Sequence, residues 1–206
     1  MISVSLNEIY TETYKALRSV NIEWSLAKDS ANKAKWLVQN GQNFLGSILK
    51  TADLYQKKEI SISINENTNK KPLASALMGL LLVEYVSANK ITWEGYIDNS
   101  KFLLAAMGII AEEQQINLTL ENEQKEIIAF TKEKKIYVNS NLDTKKTSYF
   151  FIKSYDYIEK KNIKFTDLKK NDSFTNINDI CWQRLKSMAF ETYVPESETS
   201  KSGAGY

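Results

Sequence analysis

Residues 116–152 read INLTLENEQKEIIAFTKEKKIYVNSNLDTKKTSYFFI. Within this stretch, 117–120, 126–130, 135–138 and 147–152 are short β-prone runs, parted by Lys, Glu, Asn and Asp. Such runs between turn-forming residues predict antiparallel strands, with 139–146 as a hairpin loop. Upstream, Ile91, Trp93, Gly95 and Ile97 alternate with Thr92, Glu94 and Tyr96, the period of a half-buried strand. Ile60, Ile62 and Ile64 alternate with Ser61 and Ser63 and predict another, followed by a polar loop that ends at Pro72. Residues 161–167 predict one more strand downstream.

The remaining segments carry the helical period. Leu73, Ala76, Leu77, Leu80, Leu81 and Tyr85 predict one helix, stopped at Asn89-Lys90. Asp98, Asn99 or Ser100 can cap the next, whose apolar positions include Phe102, Leu103, Ala106, Met107 and Ile110. A last helix is expected over 177–192, with Ile177, Ile180, Cys181, Leu185 and Met188 on one face. The N-terminal quarter is helical throughout. Ser5 and Glu8 have the spacing of a capping box, and Val4 can pack on Ile9. A second helix from about Ser25 carries Ala27, Ala31 and Ala34 on one stripe, which permits close packing. Asn40-Gly41 stops it, and Phe44, Leu45, Ile48, Leu49 and Ala52 predict a third.

Together these predict an α+β fold. An N-terminal helical hairpin plus third helix spans 1–54, and a mainly antiparallel sheet with two or three packed helices spans 58–192. Residues 1–192 form a single domain, followed by a tail over 193–206. Segregated helices and strands favour α+β over a regular βαβ series.

Composition narrows the chemistry. The chain has 206 residues, no histidine, one cysteine and a net charge of +2. Without histidine there is no Ser-His-Asp triad, no Cys-His pair and no histidine metal ligand. Acid–base work would fall to Asp, Glu, Lys or Tyr with a shifted pKa. No metal site and no cofactor is expected, and none of the seven glycines forms a dinucleotide or P-loop motif. Cys181 reads as a small buried hydrophobe. There is no basic leader and no apolar run of membrane-spanning length, so the expected location is cytoplasmic, with no membrane partner.

Candidate site residues are few. Glu84, Glu94, Asp98, Glu112 and Glu113 are the carboxylates nearest apolar segments. Glu84, Glu94 and Asp98 are the catalytic candidates, because a carboxylate held against apolar side chains can become a general acid. Tyr149, Phe150, Phe151, Tyr155 and Tyr157 lie near Lys145, Lys146, Lys153 and Lys160, a combination that single-stranded nucleic acid can stack on. The small net charge makes a nucleic-acid partner the weaker expectation. The tail joins a rigid Tyr-Val-Pro start to hydroxyls and glycines. Tyr193, Pro195, Ser197, Ser200, Lys201, Gly203 and Gly205 are its binding candidates, since glycine permits close backbone approach.

Val4-Ser5-Leu6-Asn7-Glu8-Ile9, the helix ending Lys35-Trp36-Leu37, and Thr192-Tyr193-Val194-Pro195-Glu196-Ser197-Glu198 running to Gly203-Ala204-Gly205 carry a resemblance over nearly the whole chain. It is to an uncharacterised bacterial family of similar length, known as a domain of unknown function. Members of that family carry arginine where Lys201 stands, and an acidic ending beyond the glycines. The resemblance implies a fold and no activity. The leading expectation is a small-molecule-metabolism protein, an enzyme subunit or ligand-binding accessory. It would be a homo-oligomer or bind a partner subunit, with the tail at a site or interface. The alternative is a non-enzymatic interaction or assembly module.

Overall fold

The computed structural model describes residues 2–65, 70–139, 147–155, 165–167 and 175–192. The elements run β1 (Ile2–Val4), α1 (Leu6–Ser19), α2 (Trp24–Gln39), α3 (Leu45–Gln56), α4 (Ser75–Asn89), β2 (Thr92–Ile97), α5 (Ser100–Gln114), β3 (Leu118–Asn122), β4 (Ile127–Lys132), β5 (Lys135–Asn139), β6 (Ser148–Ser154), β7 (Phe165–Asp167), β8 (Thr175–Ile177) and α6 (Asp179–Phe190). The fold is α+β, with the N-terminal helices preceding the sheet.

Local chemistry sets the helix ends. Ser5 Oγ accepts from the Glu8 N–H at 3.2 Å, and Glu8 Oε2 accepts from the Ser5 N–H at 2.8 Å, closing the capping box of α1. Asn99 Oδ1 accepts from the Lys101 N–H at 3.0 Å and starts α5. Gly41, with φ 69°, follows the C-cap of α2 in the left-handed region that glycine enters without steric cost.

The main sheet has the order β2-β6-β3-β4-β5-β7, and every neighbouring pair is antiparallel. β1 and β8 form a separate two-stranded sheet, with Ile2 opposite Ile177. Trp93, Ile97, Leu118, Leu120, Phe150 and Ile152 are buried on the inner face of the main sheet. α4 and α5 pack together and against this face. α2 packs on both from the other side, and α1, α3 and α6 complete the outer layer. α5 is buried on nearly all sides, as the middle layer of such a stack must be. Ala27, Ala31 and Ala34 have no exposed surface and let α2 sit close to its neighbours. Gly108 of α5 serves the same end. A Cβ there would stand 2.2 Å from the Trp36 ring.

Three expectations are corrected. Residues 60–64 form no strand, only a bridge from Ser61 to Leu73. Ser61 Oγ accepts from the Ser63 N–H at 3.1 Å, and this local turn bends the chain away from a ladder. Residues 139–146 do not join hairpin partners. β6 lies between β2 and β3, where its Phe150, Phe151 and Ile152 are buried, while β5 pairs with β4 and β7. The last helix starts later than expected, because Asn178 caps it by accepting from the Cys181 N–H at 3.2 Å. Ile177 therefore belongs to β8, the buried face is Trp182, Leu185 and Ala189, and Ile180 is 82% exposed. Cys181 is half-buried and free.

Candidate functional site

Of the sequence-derived carboxylates, only Asp98 is enclosed. Glu84 on α4 and Glu94 on the outer face of β2 are exposed and do not share its surroundings. Glu113 is exposed, and Glu112 accepts from the Trp36 indole N–H at 3.0 Å. The tail candidates Tyr193, Pro195, Ser197, Ser200, Lys201, Gly203 and Gly205 lie outside the described residues, as do Lys145, Lys146, Tyr157 and Lys160.

Asp98 follows the last residue of β2 and precedes the cap of α5. Its Oδ1 accepts from the Ser75 N–H and is within reach of Ser75 Oγ, both at 2.8 Å, and its Oδ2 accepts from Thr51 Oγ1 at 2.9 Å. The first N–H of α4 is therefore satisfied by a carboxylate from another element, placed where the helix dipole favours negative charge. Asn99 extends the seam, donating its amide to Ser47 Oγ at 2.9 Å. These bonds tie α3, α4 and the β2–α5 junction together. Burial pushes the Asp98 pKa up, and its hydrogen bonds from Ser75, Thr51 and the Asn99 backbone pull it back.

The second buried charge was not a sequence candidate. Lys33 of α2 is fully buried, and its Nζ has no hydrogen-bond partner among the described residues. It lies where α2, α4 and α5 meet. A Cβ on Gly79 would stand 3.7 Å from Nζ, an ordinary contact, but 3.3 Å from the Ala106 Cβ and 3.4 Å from the Phe102 carbonyl oxygen, so Gly79 serves the close approach of α4 to α5 beside the amine. One turn earlier, Ser30 Oγ reaches the carbonyls of Leu26 and Ala76. Burial lowers the Lys33 pKa from 10.5 to about 7, with the charges of Asp29 and Asp98 opposing the shift. A signal for it exists in the sequence. Leu26, Ser30, Lys33 and Leu37 share the helical stripe that faces the core, so the lysine occupies a position where the pattern requires an apolar or small residue.

Such a centre can do acid–base or nucleophilic chemistry. A lysine with pKa near 7 is substantially neutral at neutral pH, and a neutral amine is both a base and a nucleophile. Among the described residues, no group of three His, Cys, Asp or Glu side chains is placed to hold a metal ion.

The outer face of the main sheet carries aromatics in contact. Tyr149 meets Tyr96 at 5.1 Å and Phe151 at 5.4 Å between ring centroids, and Phe130 stacks on Tyr137 at 4.9 Å. The lysines beside them are engaged. Lys153 pairs with Glu121 at 2.6 Å, and Lys125 lies over the Phe151 ring. Neither of these two cations is free to follow a phosphate backbone. Phe150 points inward and is core.

No described helix is long and apolar enough to cross a membrane. Comparison with protein-family models, with curated proteins and with solved structures found no match to this chain.

Proposed function

We propose that this chain works in cytoplasmic small-molecule metabolism, as an enzyme subunit or a ligand-binding accessory. Kinship with the bacterial family named above belongs to the same proposal. The observation that carries the reading is Lys33, a fully buried amine without a hydrogen-bond partner among the described residues. An unpaired charge at a three-helix junction destabilises a fold unless it neutralises or meets a ligand. Strongly perturbed ionisable groups of this kind concentrate at functional sites. In this reading Lys33 is the base or nucleophile, and Asp29 and Asp98 supply the charge that stabilises its protonated form. The tail adds to a site or interface. Its first residues leave from Thr192, which lines a groove of about 380 Å³ with Tyr14, Lys15 and Arg18.

A thermal-shift screen of metabolites on the full chain and on Lys33→Met tests this. At least one ligand that raises the wild-type melting temperature should lose its effect on a folded Lys33→Met protein. Equal shifts in both proteins for every ligand found would remove Lys33 from the site. Ending the chain at Thr192 and measuring oligomeric state and melting temperature tests the tail, and no change in either would refute its role.

One observation favours the alternative, an interaction module. Trp24 is 68% exposed and meets Tyr14 edge-on at 6.4 Å between centroids, while Tyr14 stacks with Tyr10 at 6.5 Å. Exposed tryptophan and tyrosine are the residue types that anchor protein interfaces. A screen with no ligand, together with a self-association constant weakened by Trp24→Ala, would select this reading over the first.

A further inference from the structure

We infer that the groove beside the α1–α2 turn binds a small molecule with an anionic group on an apolar body. The inference goes beyond the proposed function and does not depend on Lys33.

The groove has a volume of about 560 Å³, within the range of sites that hold small ligands. Three segments build it: the turn Ser19-Val20-Asn21, the end of α3 at Tyr55 and Gln56, and the residues Lys58, Ile60 and Ile62 with Lys71. Its lining divides by chemistry. Val20, Ile60 and Ile62 are apolar, Ser19, Asn21 and Gln56 offer hydrogen bonds, and Lys58 and Lys71 are cationic. No carboxylate is among the described residues that line it. Neither lysine has an ion pair with any described residue. Ile62 is 44% exposed, a large apolar side chain on an open wall.

Both lysines leave a backbone that is held in place. The Lys58 N–H donates to the Tyr55 carbonyl at 3.0 Å, and the Glu59 N–H to the Leu54 carbonyl at 2.9 Å, which locks the end of α3. Lys71 precedes Pro72, whose carbonyl accepts from the Ser61 N–H at 2.9 Å, and Ser61 bridges to the fully buried Leu73. Ile60 and Ile62 flank Ser61 in the same segment. The backbone positions of both lysines are thus fixed, on a groove whose wall also carries Ile60 and Ile62. Such a wall matches a carboxylate or phosphate attached to a hydrocarbon. A cationic ligand of the same body would meet like charge, and a free inorganic anion would leave Ile62 uncovered.

Isothermal titration of the full chain tests this with octanoate, octyl phosphate, octyltrimethylammonium and inorganic phosphate. Octanoate or octyl phosphate should bind with one-to-one stoichiometry, and the tighter of the two identifies the head group. Octyltrimethylammonium and inorganic phosphate should each bind at least about tenfold more weakly. The Lys58→Gln/Lys71→Gln protein should lose about tenfold in affinity for the bound anion. Ile62→Ser should weaken octyl phosphate and leave inorganic phosphate unchanged. Lys33→Met should bind the anion as the wild type does, which separates this site from the buried centre. Equal binding of the octyl cation, or an unchanged affinity in the double-lysine variant, would overturn the charge assignment. Inorganic phosphate as tight as octyl phosphate would overturn the apolar half. Failure of both amphiphilic anions to bind would overturn the inference as a whole.

Discussion

Lys33→Met should stabilise the protein at neutral pH and remove one part of its pH dependence. The lysine pKa is 10.5 ordinarily and about 7 in the fold. The unfolded chain therefore holds this proton more tightly than the folded one. Stability then rises with pH where the unfolded state is protonated and the folded state is not, from about 7 to 10.5. Below that window both states are charged, and the penalty is full and constant. Above it both are neutral. Each pH unit within the window is worth about 1.4 kcal/mol, which bounds the contribution of Lys33 at about 5 kcal/mol. Methionine has a similar length and no charge, and swaps that replace a buried charge by a well-packed apolar group gain about 1–4 kcal/mol. The assay is urea unfolding of both proteins at intervals from pH 6 to pH 10. Other titrating groups are common to the two, so the difference between them isolates Lys33. Lys33→Met should be the more stable protein at pH 6 to 7, and its advantage should shrink steadily towards pH 10. An advantage that stays constant across this range, or a variant less stable at every pH, would refute the argument. A constant advantage would mean that the amine keeps its ordinary pKa and stays charged in the fold, and a variant less stable at every pH would mean that the amine has a partner.

Further outcomes follow from the same geometry. Asp98→Ala leaves the Ser75 N–H and the Thr51 hydroxyl without an acceptor in a buried site, and should cost about 3 kcal/mol in urea unfolding. Asp98→Asn keeps one acceptor oxygen and should cost less than the alanine change. Gly108→Ala forces a methyl group to within 2.2 Å of the Trp36 ring, so it should lose about 3 kcal/mol or fail to fold. Glu84→Gln and Glu94→Gln are changes on exposed faces, and each should move stability by less than about 0.5 kcal/mol in the same assay.

Much of the fold was legible because it rests on local chemistry. Ser5 and Glu8 close a capping box within a single turn. Asn99 starts α5 with its own side chain, and the strand alternation of Trp93, Gly95 and Ile97 needs only a sheet with one buried face. Strand order was another matter. The position of β6 depends on which strand has side chains fit to be buried on both faces. Phe150 and Ile152 face the helices, while Phe151 is also buried, on the other face, under Lys125. That selects a central position over a hairpin with β5, and local turn signals between 139 and 146 carry no information about it. At 60–64 the alternating isoleucines predicted a ladder, but a serine that accepts from a backbone N–H two residues on gives the chain a competing turn.

The buried centre shows why a site of this kind is hard to read from one chain. Asp98 was within reach, since a carboxylate at a strand–helix junction has obvious work as a cap. Its actual partner is not the helix it precedes but α4, twenty-three residues back in sequence, through the Ser75 N–H. Lys33 lies in a polar-looking run, Lys28 to Lys35, in which Lys28 and Asn32 are exposed while Ser30, Ala31 and Ala34 are buried. Its burial arises only when α4 and α5 close over the core-facing stripe of α2. The tertiary fold thus creates the perturbed amine, and the sequence marks it only as a charge at a core-facing position. A lysine there could have been replaced by leucine at a gain in stability. Its place in the fold therefore argues for a use of the charge, and the stability difference between wild type and Lys33→Met measures how much the fold gives up to keep it.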